Sequence, residues 1–199
     1  MNSRFAGKTV VVTGASAGVG AACARAFAGQ NAKLVLVARG RAGLNNMAKE
    51  LRGNRCEVLT VAMDVSSTEE CLKLLKKAEA KFGSVDVVIN NAGMHSRGDL
   101  ESVDPNDVAS MVDINLRAPM VLSCAAIPFL RRAGAGAIVN IGSLAGRAPL
   151  QGAATYSGTK AGLRAFTYAL ADELKEANIN VGVVSPGPVD TGFIMDEID

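Results

Sequence analysis

No tryptophan occurs in this chain, histidine occurs once, and aromatic residues make up only 4% of its 199 residues. So few ring faces argue against a base-stacking platform for single-stranded nucleic acid. A dominant charge is also lacking: 21 Lys and Arg stand against 19 Asp and Glu, a formal net charge of +2. That balance gives no general attraction to nucleic acid or to an anionic membrane surface. Cysteine is scarce and scattered. Cys23, Cys56, Cys71 and Cys124 form no CxxC pair and sit singly among apolar residues, as small core residues do in a reducing compartment. No His/Cys/Asp group has metal-ligand spacing, so no structural or catalytic metal is expected. A long apolar span is missing as well. The longest run, 118–130, is short for a bilayer and contains Pro119 and Pro128. A strand-like run begins at Lys8, leaving no room for a cleaved leader. These absences predict a soluble cytoplasmic protein with neither membrane nor nucleic acid as partner.

What is present is a regular alternation. With 49% hydrophobic and 20% charged residues, the composition is globular, and the length suits one domain. Short β-branched runs at 8–14, 33–38, 57–64, 85–91, 136–142 and 179–187 read as strands. Most are nearly continuous in apolar residues, as parallel strands covered on both faces are. Helical patterns fill the intervals at about 18–30, 41–52, 67–82, 104–132 and 153–177. Ser67 followed by Glu70 predicts a capping box, and Asp104 before Pro105 predicts an N-cap with proline in the first turn. Repeated β-α-β units imply a doubly wound parallel α/β sheet of at least six strands, with helices on both faces. The stretches 118–130 and 161–174 are apolar nearly all round, so a second cover, a subunit of the same kind, is expected over them.

The first strand runs into "TGASAGVG", which places Gly14, Gly18 and Gly20 between a strand and an alanine-rich helix. Glycine allows close backbone approach there, and the helix start offers free N–H groups to a pyrophosphate. The end of the second strand reads "VARGR". An acidic residue there would suit the ribose hydroxyls of NAD; Arg39, with Arg41 beyond it, suits a 2′-phosphate. NADP(H) is therefore expected over NAD(H), with Arg41 equally readable as a solvated loop residue.

Four motifs, "TGASAGVG" (13–20), "NNAG" (90–93), "YSGTK" (156–160) and "PGPVDT" (186–191), occur in this order. Together they make the chain resemble a short-chain dehydrogenase/reductase over essentially its whole length. The resemblance implies a single Rossmann-like domain over 1–199 and an NAD(P)-dependent oxidoreductase of carbonyl or alcohol groups. It implies a catalytic set of Asn115, Ser143, Tyr156 and Lys160. For the cofactor it implies Gly14, Ser16, Gly18, Val19 and Gly20 at the phosphates and Arg39, Asp64 and Val65 at the adenosine. Asn90, Ala92 and Gly93 would form the next wall, and Tyr156, Lys160, Pro186, Gly187, Val189 and Thr191 would meet the nicotinamide half. Asn90 also reads as partly structural, and Val189 equally as core.

Elementary chemistry agrees with that set. Residues i and i+4 share a helix face, so Tyr156 and Lys160 can reach one ligand. A free tyrosine has a pKa of about 10, and a nearby ammonium together with the positive nicotinamide ring of the oxidised cofactor is expected to lower it. Tyr156 would then exchange the proton, Ser143 would hold the carbonyl oxygen, and Asn115 would anchor a water leading from Lys160 to solvent. Met94, Leu144, Leu150 and Pro188 suggest an apolar substrate pocket. His95 is left out of the catalytic set, as a loop residue at the mouth of the site.

The sequence ends at "TGFIMDEID", whereas the family pattern continues with a substrate-covering loop, helices and a last strand. The resemblance thus implies a chain incomplete at its C-terminus, the favoured reading, or a natural minimal variant, with the sixth strand as an edge and a homodimer or homotetramer as its assembly. Two other readings stand beside the reductase: a non-catalytic dinucleotide sensor, and epimerase or dehydratase chemistry on the same Tyr/Lys pair.

Overall fold

The computed structural model describes residues 3–191. Among these, six strands build one sheet: β1 (Thr9–Thr13), β2 (Lys33–Ala38), β3 (Val58–Ala62), β4 (Val87–Asn90), β5 (Gly136–Ile141) and β6 (Ile179–Val184). Their spatial order is β3-β2-β1-β4-β5-β6, and every neighbouring pair is parallel. Each expected run is a strand. The ladders are shorter than the runs because flanking glycine and polar residues turn out of register.

Alternation along the strands feeds two cores. Val10 and Val12 of β1 and Leu34 and Leu36 of β2 point to one face. There they meet Ala21 and Ala24 of α1 (Gly18–Ala28) and Leu44 and Leu51 of α2 (Arg41–Gly53). Val11, Val35 and Val37 point to the other face. They pack with Leu74 and Leu75 of α3 (Thr68–Phe82), Leu122 and Leu130 of α5 (Ala118–Arg132) and Leu170 of α6 (Ala154–Leu174). Fully burying one such side chain stabilises by about 1.5–3 kcal/mol, so the two-sided burial outweighs local propensity.

The helix ends follow their caps, with one difference. Ser67 Oγ accepts from the Glu70 amide at 3.3 Å, but the Glu70 carboxylate reaches past Ser67 to the Asp64 amide at 3.0 Å. The capping pair therefore steadies the turn after β3 instead of closing on itself. Asp104 accepts from the Asn106 amide and opens α4 (Pro105–Val112), as expected.

The single helix expected over 104–132 is instead three segments. A π turn, Asp113–Arg117, joins α4 to α5. The rod Pro105–Arg132 has 28 residues and holds an 18-residue window of mean hydropathy 1.2, enough by length and composition to cross a membrane. Here Ala118, Leu122, Ala126 and Leu130 turn one face into the sheet. Cys124 and Pro128 face outward. At the far side of the sheet β6 is the last strand, and Val184 is 53% exposed. The expected chain end beyond Thr191 lies outside the described residues.

The strand order reverses between β2-β1 and β4-β5, so the loops after β1 and β4 diverge. A crevice opens at their C-terminal ends, where ligands of such sheets bind.

Candidate active site

Three loops at the C-terminal ends of β1, β4 and β5 shape this crevice. After β1, Gly14 takes φ of 66°, and a Cβ there would come within 2.7 Å of Asn91 Nδ2. Only glycine fits such a turn. Gly20 faces the Gly14 carbonyl, which draws α1 tight against the loop. The first turn of α1 has neither a side-chain cap nor an acidic residue, so its amides are open to an anion.

The loop after β4 is clasped to the first. Thr13 Oγ1 accepts from the amides of Asn91 and Ala92 at 2.9 and 3.0 Å, and Asn91 Nδ2 donates to Thr13 O at 2.9 Å. Thr13 and Asn91 are thus the pins that hold the two walls together, a pairing that the motif order alone does not reveal. Asn90 points the other way. Its Nδ2 donates to Asn140 Oδ1 at 2.8 Å and to Ser123 Oγ at 3.1 Å, and Asn140 donates to Thr167 Oγ1 at 2.8 Å. All four are buried, so Asn90 belongs to a polar link between β4, β5, α5 and α6 and not to the cleft wall.

Beyond β5, Ser143 opens a short 3-10 turn, Leu144–Gly146, and its hydroxyl accepts from the Ala145 amide at 3.1 Å. A Cβ on Gly146 would stand 2.6 Å from the Lys160 carbonyl carbon. Glycine therefore lets this turn rest directly on α6. That contact brings Ser143 beside Tyr156 in the same cleft, where its hydroxyl favours the ionised phenol.

Lys160 is buried, and Nζ donates to the Ile141 carbonyl at 2.8 Å. Burial lowers its pKa to about 8. Nζ stands 5.7 Å from the centre of the Tyr156 ring. For Tyr156 the expected lowering by Lys160 is not found. Burial raises the phenol's pKa, and the Ser143 hydroxyl opposes this only in part. Without a cofactor cation beside it, desolvation wins.

The amide of Asn115 bonds both backbone groups of Met94, accepting from N and donating to O at 2.8 Å each. The side chain therefore fixes the loop after β4. Its main-chain carbonyl differs: the α-helical donor would be residue 119, and Pro119 has no N–H. Met94, expected at the pocket, packs instead with Met111, Ala145, Ala153 and Tyr156.

These elements enclose a cleft of about 420 Å³. Of the expected residues, Gly14, Gly18, Val19, Ala92, Gly93, Ser143, Tyr156, Lys160, Pro186, Gly187, Val189 and Thr191 line it. Leu144, Leu150 and Pro188 line it too, together with His95 and Arg97. His95 meets the Tyr156 ring edge to face, with centroids 4.4 Å apart. The strand after the cleft is held by Leu144 N donating to Pro186 O at 3.0 Å, and Thr191 packs over Gly18. Val189 is 41% exposed, which answers its double reading in favour of the cleft.

The adenosine-side residues lie outside this cleft. Ser16 packs on α2 at Gly43, Arg39 is exposed directly after β2, and Asp64 accepts from the Ser66 amide at 2.9 Å. Val65 packs against the core beside Cys71. Arg41 separates from Arg39. It lines a second groove of about 590 Å³ along the free edge of β3, with Leu44, Leu59, Lys77 and Lys81. Among the described residues no group of three or more His, Cys, Asp or Glu side chains could hold a metal ion.

Comparison with known proteins matches this arrangement. The short chain dehydrogenase family profile covers residues 8–198. A ketoacyl reductase of Nostoc, HetN, is 37% identical over 191 residues, 96% of this chain and 67% of that protein. An uncharacterized oxidoreductase of Staphylococcus saprophyticus is 34% identical over 185 residues, 92% of this chain and 79% of its own length. Among solved structures, a metagenomic short-chain oxidoreductase in complex with NADP superposes with a TM-score of 0.88 at 35% identity, covering 93% and 84% of the two chains. A Burkholderia phymatum short-chain dehydrogenase/reductase in complex with NAD gives a TM-score of 0.93 at 30% identity, covering 97% and 70%.

Proposed function

Because the chain belongs to the short-chain dehydrogenase family, we propose that it reduces a carbonyl, or oxidises the matching secondary alcohol, using NADP(H), with Tyr156 exchanging the proton. Nicotinamide-dependent oxidoreduction is common to this family. The observation that carries the finer reading is that Ser143, Tyr156 and buried Lys160 line the same cleft as the glycine loop.

The residues present fit a dinucleotide. The uncapped start of α1 and the close approach at Gly14, Gly18 and Gly20 suit its pyrophosphate, with Ser16 and Val19 flanking it. Arg39, exposed and without an ion pair among the described residues, suits a 2′-phosphate. Asp64 and Val65 border the adenine end. Ala92 and Gly93 form the middle wall. Pro186, Gly187, Val189 and Thr191 cover the nicotinamide end, and Lys160 reaches its ribose. The bound cofactor supplies the hydride.

The protein's own part follows from burial. A phenol whose pKa is raised stays protonated at neutral pH, so Tyr156 can hand its proton to a developing alkoxide. Ser143 Oγ donates to that same oxygen and holds it. Lys160 carries its proton below about pH 8, so at neutral pH it can donate within the cleft beside Tyr156. Asn115, in the π turn beside this cleft, is the residue we assign to hold a water that refills the relay. A dinucleotide sensor would need none of this hydroxyl pairing. Epimerase or dehydratase chemistry would use the Tyr/Lys couple, and no observation favours it here. We further read 1–199 as one domain that pairs with its own kind across the outward faces of α4, α5 and α6, where Val112 and Tyr168 are 39% and 52% exposed.

Fluorescence titration tests the cofactor. NADPH should bind at least about ten-fold tighter than NADH, and Arg39→Asp should erase that ratio. Equal affinities, unmoved by the substitution, would contradict the assignment.

A further inference from the structure

Resting on the reductase reading above, we infer that the carbonyl substrate of this cleft has an apolar body ending in a carboxylate, and that Arg97 binds the carboxylate. Among the described residues that line the cleft there is no Asp or Glu. Beside His95 its cationic side chains are Lys160 and Arg97, and they differ in kind. Lys160 is buried and committed to the Ile141 carbonyl. Arg97 is exposed at the rim and makes no ion pair with any described residue.

Its backbone is nevertheless fixed. Gly98 N donates to Gly152 O at 3.0 Å, joining the loop after β4 to the turn that precedes α6. Arg97 is thereby held on the Tyr156 side of the cleft, in the strap between the Tyr156–His95 contact and the start of α6, and not in the glycine loop. Leu144, Leu150 and Val189, each at least two-fifths exposed, line the same cleft. Three large apolar side chains kept in water beside one guanidinium without an ion pair among the described residues describe an amphipathic ligand. An alkyl or aryl body covers the leucines and valine, and a planar anion matches the guanidinium fork. With its reacting carbonyl at Tyr156 and Ser143, such a ligand spans the cleft from base to rim.

An exposed ion pair contributes little in water, so the expected preference is modest, about five-fold, and falls with salt. The test compares para-formylbenzoate with its methyl ester, and straight-chain ω-oxo carboxylates of increasing length with theirs, by NADPH consumption. In the native protein, kcat/KM for the best acid should exceed that of its ester by about five-fold at low salt. Arg97→Ala should bring the ratio to about one, and Arg97→Lys should keep part of it. An ester turned over as well as its acid, or a ratio that Arg97→Ala leaves intact, overturns the inference while the reductase reading stands. If NADPH binds and none of these carbonyls is reduced, the reductase reading fails and takes this inference with it.

Discussion

Lys160 and Tyr156 shift in opposite directions for one reason. Burial disfavours the charged form of each, so the ammonium loses its proton more readily and the phenol holds its own more firmly. For Lys160 this sets a stability profile. Its folded pKa of about 8 lies below the ordinary 10.5, so between these values the unfolded chain binds more protons. Stability should therefore rise as pH climbs from about 8 to about 10.5, by up to roughly 3 kcal/mol, and the increment should vanish in Lys160→Met. Urea titrations of both proteins across that range measure it; parallel profiles would mean the ammonium is well solvated. The spacing of Tyr156 and Lys160 was readable in the chain. The burial that tunes them was not, because it depends on β5 and α6 meeting.

At the scale of elements, the site depends on how β4, β5 and α6 are fastened. Asn90, Asn140 and Thr167 link them inside an otherwise apolar layer. Asn140→Leu leaves a donor on Asn90 without its nearest acceptor, at a cost of about 1–3 kcal/mol. Urea unfolding should register that loss. Turnover should fall with it, since Ser143 and Tyr156 sit on the loosened elements; a change within about 0.5 kcal/mol would show the link to be dispensable. The strands and most helices were legible from apolar runs and caps. The π turn leaves only a faint mark in the sequence, Pro119 four residues after Asn115, which removes the donor an unbroken helix needs. Nor could periodicity say that Asn90 turns inward while Asn91 faces the cleft, because both orientations suit a residue at a strand's end.

For the whole molecule, the order β3-β2-β1-β4-β5-β6 creates the site by parting the loops after β1 and β4. Alternation of strands and helices predicted a parallel sheet with two covered faces. The strand order was not legible, since many windings share one pattern. The central claim is that this crevice transfers hydride while Tyr156 moves the proton. Tyr156→Phe tests it most directly, with NADPH affinity and steady-state carbonyl reduction measured on the same protein. The account predicts unchanged NADPH binding and a kcat reduced by about 10²–10⁴-fold. A variant that binds NADPH and keeps most of its turnover would contradict it.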